Sequence, residues 1–370
     1  MDRTGLNKAL LDHLESMPNV TFFFSHKLQG VDFKKKLAWF EHKTPNSSET
    51  AEIELKFDFM VGADGAHSAV RYNLMKFVPM SYQQEYIDKL WCQFHIPPTP
   101  EGDFRLPPNY LHIWPQDEAM FIALPNLDKT FTATLFLTRS GFEQLDASGK
   151  VVEYFYQKFP GVVPDLITGN DLRKQYSSNQ HLPLISIKCS PYHFGSSGVI
   201  VGDAAHAMVP FYGQGMNAGL EDVRVLFEFL DKHPNDRAQA LKEYSEQRTP
   251  DAQTINDLAL RNYEEMATDV KKPLYLLRKW LEETLDLYMP SVGWATQYSR
   301  VTFSNMRYSE VQHRAKRQAS ILNGVVGLTL AACIGSGLWF TRAGGAERVK
   351  MGFLRSICWA AQRGQKLVQG

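Results

Sequence analysis

The sequence carries no surplus charge. Forty Lys and Arg residues balance forty Asp and Glu, so the total offers no basic footprint for a polyanion, and a nucleic-acid partner is disfavoured. Cysteine is scarce: Cys92, Cys189, Cys333 and Cys358 are far apart and none forms a CxxC pair. That spacing fits neither a disulfide framework nor a zinc site, and the soluble part should face a reducing compartment. No cluster of metal ligands is visible. The opening MDRTGLNKALLDHL lacks the apolar core of a signal peptide. Repeats and low-complexity tracts are absent. So is a GxGxxG turn near residue 1, although such a turn normally opens an α/β dinucleotide domain and rests the pyrophosphate on a helix N-terminus.

What is present reads as α/β pieces split by an antiparallel sheet. Leu6, Leu10, Leu11 and Leu14 mark one face of an opening helix that ends at Pro18-Asn19. A strand is expected at Val20 to Phe24, a hairpin around Lys34 to Glu41, and a buried strand leading into Gly62-Ala63-Asp64-Gly65. From Tyr110 the period becomes two, through YLHIW, MFIAL and FTATLFL. A helix is expected at Val151 to Phe159, a strand ending at Val201, a helix running to about Leu230, and mostly helix from Ala252 to Arg317. This order predicts a Rossmann-like α/β nucleotide domain interrupted by an antiparallel-sheet substrate domain. The expected boundaries are 1–76 and 186–250 for the nucleotide part, 77–185 for the sheet, 251–320 for a helical cap and 321–370 for an anchor with a basic tail.

Two strings carry the chemistry. In VGDAAHAMVPFYGQGMNAGLED, Asp203 sits at a strand end, where it can accept hydrogen bonds from a sugar or ribityl hydroxyl. Gly202 lets backbone approach closely. Gly213-Gln214-Gly215-Met216-Asn217 opens a helix whose unpaired N–H groups and dipole favour negative charge, such as that on the N1 and C2 carbonyl side of a reduced isoalloxazine. A glycine-rich helix start is also found in plain strand-to-helix turns. The second string, VGADGAHSAVR, places Asp64, Gly65, Ser68, Val70 and Arg71 in the pattern DGxxSxVR. His67 and His206 fall in the same strings and read as structural.

Together the strings resemble the GD and DG motifs of the class A flavoprotein aromatic hydroxylases, in the expected order with a sheet between them. NYLHIWPQ (Asn109 to Gln116), MFIALPN (Met120 to Asn126), RNYEEM (Arg261 to Met266), and MPS and VTFS around Tyr298 are similar to the kynurenine-hydroxylating branch of that family over nearly the whole chain. The resemblance implies FAD as cofactor and NADPH and O2 as co-substrates. L-kynurenine would be hydroxylated ortho to its aromatic amine, in tryptophan catabolism toward NAD and quinolinate. It implies FAD contacts for Arg3, Leu28 (through its backbone, to the adenosine half), Asp64, Asp203, Gly215, Met216 and Asn217. Asn262 and Tyr298 would bind L-kynurenine, with Glu265 and Met266 as further pocket candidates, and no residue is given a direct catalytic role. The GxGxxG turn and part of the substrate clamp have no counterpart here, so weak FAD binding, an open sheet edge and exposed apolar faces are expected.

Ile321 to Phe340 contains twenty residues without a charge, enough for a helix to cross ~30 Å of hydrocarbon. Basic residues flank it, and Arg348 to Val368 is suited to an anionic surface. A C-terminal membrane anchor contacting lipid is expected, and the resemblance implies the mitochondrial outer membrane with the catalytic part facing the cytosol. Two other readings stay open: an inactive membrane-tethered binding protein, and a flavin monooxygenase acting on a lipid.

Overall fold

The computed structural model describes residues 3–43, 50–289, 291 and 293–342. Eleven strands and eleven α-helices are described, and the strands form three sheets. The opening helix α1 (Arg3–Glu15) leads into an antiparallel sheet of β1 (His26–Asp32), β2 (Leu37–Lys43) and β3 (Thr50–Lys56). The turn between β1 and β2 is built by Asp32, whose carboxylate accepts the N–H groups of Lys34 at 3.0 Å and Lys35 at 2.9 Å.

A second sheet has the order β10-β11-β4, with β4 (Met60–Gly62) parallel to β11 (Gly198–Ile200) and β10 (His193–Phe194) antiparallel on the far side. Helix α2 (Ala69–Leu74) follows β4. Val31, Phe33, Leu74, Val199 and Ile200 form the core between these two sheets.

The third sheet has the order β6-β7-β8-β5-β9 and is antiparallel throughout. Its strands are β5 (Ser81–Ile96), β6 (His112–Pro115), β7 (Ala119–Pro125), β8 (Phe131–Leu137) and β9 (Leu182–Ser190). Alternation sets its two faces. Phe131, Ala133, Leu135 and Leu137 pack with α3 (Arg139–Ser148), α4 (Val151–Lys158) and α5 (Gly169–Ser178). Met120, Phe136 and Leu184 face the other way, toward the C-terminal helices. Strand β9 then returns the chain to β10, β11, the short helix α6 (Asp203–His206), a 3₁₀ turn Pro210–Tyr212 and α7 (Gly215–Lys232). Beyond lie α8 (Arg237–Ala267), α9 (Pro273–Tyr288), α10 (Gln297–Phe303) and α11 (Tyr308–Arg342).

Two expectations change. Val20 to Phe24 is not a strand, because strand geometry needs a hydrogen-bonding neighbour and no described strand lies beside it; Phe23 and Phe24 are exposed. The strand before Asp64 is only three residues long and not fully buried: β4 is paired on one side alone, and Val61 is exposed. On α7, Met216, Leu220, Val223 and Phe227 form an exposed apolar stripe. Among the described residues no helix is long and apolar enough to cross a membrane. The charge-free segment begins inside α11, where Ile321, Val325 and Leu328 are exposed; the basic tail at Arg348 to Val368 lies outside the described residues.

Candidate functional site

The site begins where two parallel strands end. Gly62 pairs with Ile200, and the Val201 N–H donates to the Gly62 carbonyl at 2.9 Å. Past this pair, β4 turns at Ala63-Asp64-Gly65 and β11 turns at Gly202-Asp203. The carboxyl ends of neighbouring parallel strands are where α/β sheets hold ligands. One buried side chain ties the two turns together. Arg71 donates from Nη1 to the Ala204 carbonyl at 2.6 Å and from Nη2 to the Ala66 carbonyl at 2.6 Å, with its guanidinium 5.3 Å from the Tyr82 ring centre.

The two acids are used differently. Asp64 accepts the Ser68 hydroxyl at 2.5 Å on one oxygen and the Val70 N–H at 3.1 Å on the other, while Ser68 caps α2 by accepting the Arg71 N–H at 2.9 Å. Its carboxylate thus builds its own turn, which leaves backbone as the part of the turn free to meet a ligand. Asp203 is exposed and makes no hydrogen bond or ion pair among the described residues, so its acceptors are available.

Beside Asp203 stands the N-terminus of α7. Gly202 adopts φ +58°, a conformation that L side chains rarely take, and a Cβ on Gly219 would lie 3.5 Å from the Gly202 Cα. These two glycines let α7 come against the turn backbone to backbone. The first N–H groups of the helix, including those of Gly215, Met216 and Asn217, have no intrahelical acceptor and point along the dipole. Gln214 precedes them and is held by Asn217 Nδ2 at 3.2 Å and the Tyr308 hydroxyl at 3.3 Å.

The segment between the acid and the helix tip is clamped on the other side by the sheet and α8. Asn256 is buried and donates Nδ2 to the carbonyls of Ile187 and Ala207, both at 3.0 Å, while its oxygen accepts the Ser186 hydroxyl at 2.7 Å. Cys189 Sγ donates to the Ala205 carbonyl at 3.1 Å, and burial pushes this thiol up to about 12.

The substrate candidates gather around the 3₁₀ turn Pro210–Tyr212. Asn262 donates Nδ2 to the Phe211 carbonyl at 2.8 Å and to Met266 Sδ at 3.3 Å. The Tyr298 ring stacks on Tyr212 with centres 6.0 Å apart and remains exposed. Burial pushes the Tyr212 phenol up to about 12, so it stays protonated at neutral pH. Phe211 packs between Phe136 of the sheet, at 4.9 Å, and Tyr263 of α8, at 4.5 Å. Met120, Ile122 and Phe136 therefore form an apolar wall beside this turn. Glu265 stands one step out, accepting the Tyr275 hydroxyl and facing Lys279 at 3.8 Å.

Two of the expected cofactor residues stand apart. Arg3 opens α1; its side chain lies outside the described residues, and no described hydrogen bond or ion pair joins α1 to another element. Leu28 is in β1 opposite Phe40, its side chain half-buried against the core between the first two sheets. Among the described residues no group of three His, Cys, Asp or Glu is placed to hold a metal ion.

An FAD ribityl chain and isoalloxazine fit the parts present. An acid with open acceptors, a close glycine-to-glycine backbone contact at a residue of positive φ, and a helix tip with unpaired N–H groups lie together past the strand ends. Comparison with known proteins identifies the family. The FAD binding domain family matches residues 2–259. A kynurenine 3-monooxygenase of Phaeosphaeria nodorum is 76% identical over 100% of this chain and 77% of its own length. The chain belongs to the kynurenine 3-monooxygenase family. Another relative, the kynurenine 3-monooxygenase acdD of Aspergillus candidus, is 60% identical over 87% of this chain and 67% of its own length. In fold the chain is similar to the tetrameric form of 2-methyl-3-hydroxypyridine-5-carboxylic acid oxygenase, with a TM-score of 0.57 at 18% identity, over 74% of this chain and 70% of that one. Family membership makes this chain a flavoprotein of the monooxygenase type.

Sequence reading missed the residues that hold this family site in place. Arg71 was visible as part of a motif but not as the link between turns. Asn256 carries no local signal. Asp222 did leave one, since it falls on the face of α7 that also carries the buried Ala218, Val225 and Leu226.

Proposed function

We propose that the chain is an FAD-dependent monooxygenase that converts L-kynurenine to 3-hydroxy-L-kynurenine with NADPH and O2. The observation that carries this reading is the joining of the DG and GD turns by Arg71 at the ends of adjacent parallel strands, with the tip of α7 beside Asp203. Bound there, FAD would supply the redox chemistry, hydride acceptance and O2 activation. The protein's own contribution is positional. Asp203 would accept from the ribityl hydroxyls, and the N–H groups at Gly215, Met216 and Asn217 would stabilise negative charge on the pyrimidine side of the flavin ring. Tyr298 and Asn262 would orient L-kynurenine at the turn Pro210–Tyr212, while Met120, Ile122 and Phe136 keep water away from the reacting ring.

The proposal extends to a membrane. The uninterrupted run of uncharged residues from Ile321 to Phe340, set between Arg317 and Arg342, supports a C-terminal anchor, and the resemblance noted above supports the outer face of the mitochondrion as its location.

Purified in detergent with added FAD, the chain should retain flavin absorbance and consume NADPH in a kynurenine-dependent manner, with 3-hydroxykynurenine as product. Flavin retention without kynurenine-dependent turnover would refute the substrate, and turnover with a lipid in its place would favour the lipid-directed alternative. Deleting residues from Leu322 onward should move the chain to the soluble fraction; sedimentation of the shortened form with membranes would refute the anchor.

A further inference from the structure

Behind the exposed face of the GD turn lies a set of buried charges. Asp222, on α7, is fully buried. One of its oxygens accepts the Gly202 N–H at 2.7 Å and faces His206 Nε2 at 2.6 Å; the other accepts Arg248 Nε at 2.9 Å. Arg248, from α8, is 1% exposed and also donates to Glu221 at 3.1 Å and the Ala218 carbonyl at 3.3 Å. Burial alone would raise the Asp222 carboxyl, but His206, Arg248 and the Gly202 amide outweigh it and hold the group below the usual carboxylate range. A buried carboxylate with this many donors is a rigid joint.

Its location is specific. Gly202 is the residue with φ +58°, immediately before Asp203, and it touches Gly219, one turn before Asp222 on the same helix. Asp222 therefore connects the acid-bearing turn to the helix whose tip shares the flavin. We propose that Asp222, held by Arg248 and His206, is a positioning residue for the cofactor: it fixes the Gly202 backbone and thereby the placement of Asp203 relative to the N-terminus of α7. This inference rests on the reading of that turn as part of the FAD site.

Asp251 provides the control. It is equally buried, is bonded to Arg307 at 2.9 Å and to the Ser309 hydroxyl at 2.5 Å, and faces Arg248 Nη1 at 3.7 Å from the side away from the Asp222 bonds, so it shares the buried arginine, yet it does not touch Gly202. Asp222→Asn keeps the shape but cannot accept both the Gly202 N–H and the bonds on its other oxygen. Hydrogen exchange of the segment 199–206 in the chain without cofactor should accelerate at least tenfold in D222N, and the FAD dissociation constant should rise at least tenfold. Asp251→Asn should lower the thermal midpoint and leave both quantities near wild type. Equal behaviour of the two variants in exchange and affinity would overturn the inference, since Asp222 would then be only one more buried acid. If wild type binds no FAD, the cofactor reading falls while the exchange comparison still decides the positional claim. Should D222N fail to fold, Arg248→Lys reads the same joint: exchange at 199–206 should rise about threefold, and wild-type exchange would overturn the proposal.

Discussion

Replacing Arg71 by Met separates a joined site from two turns that merely lie near each other. The substitution keeps the aliphatic stem that packs in the core and removes two charge-assisted hydrogen bonds, to Ala204 and Ala66, each 2.6 Å long. Bonds of this kind contribute roughly 1.5–3 kcal/mol each, and the two carbonyls lose their cationic donor. Recovery of the desolvation cost of the buried guanidinium offsets part of the loss, so a net destabilisation of about 3 kcal/mol is expected. At roughly 2–4 °C per kcal/mol, the thermal midpoint of the nucleotide part should fall by about 6–12 °C. Because Ala204 follows Asp203, the FAD dissociation constant should rise about tenfold in the same variant. Arg71→Lys can satisfy one carbonyl at a time and should recover about half of each effect. Thermal unfolding by intrinsic fluorescence and FAD titration by flavin quenching read both quantities. A midpoint within about 2 °C of wild type, with unchanged affinity, would refute the joining role.

Asp203→Ala should behave in the opposite way: nothing described in the fold depends on its carboxylate, so stability should stay within about 0.5 kcal/mol while FAD binding weakens about 10–100-fold, as expected from losing one or two charged hydrogen bonds. Gly198→Ala should be strongly destabilising without touching the site, because its Cβ would lie 2.4 Å from the Phe33 ring; denaturation of this variant should show a loss of about 1–3 kcal/mol. Cys92 and Cys189 are buried and both are pushed up to about 12 by burial, so neither should react with a thiol reagent at pH 8 until the chain unfolds, which peptide mapping after labelling will check. Asp58 is held at about 2, first by the hydrogen bond from Lys36 and then by Arg237. A depressed carboxyl contributes above its unfolded value near 3.8 and loses that contribution as pH falls through about 2. The link between Asp58 and Arg237 should therefore persist at pH 4 and open below about pH 2, which the Asp58 carboxyl resonance in an NMR titration would report.

Local chemistry explains which parts of this fold are readable from sequence. The strands around Ala119–Pro125 and Phe131–Leu137 were legible because alternate residues enter two different cores, and in Phe131–Leu137 the threonines Thr132 and Thr134 mark the less buried positions between Phe131, Ala133 and Leu135. The Asp64 and Asp203 turns were legible because positive φ and helix capping demand glycine and a short acceptor at fixed spacing. Val20 to Phe24 has strand composition and no strand, since composition describes a preference and a ladder needs a second edge. Arg71 reaches Ala204 across 133 positions of sequence, a distance over which periodicity carries nothing.

Asp222 marks the boundary between the two kinds of information. Nothing in the string GLEDVRVL names its partners, and Arg248 lies twenty-six residues on, in another helix. Yet an acid placed in register with Ala218, Val225 and Leu226 on a buried helical face costs too much to be left unpaired. Amphipathic spacing alone therefore requires a cation or a set of N–H donors opposite that position. Given that α7 begins at a glycine-rich turn, the donors nearest to hand are those of the preceding strand-to-helix bend, and the Gly202 amide is the one that meets it. Read in this way, a polar residue that breaks an apolar stripe locates the joint between a site and its scaffold before any partner is known.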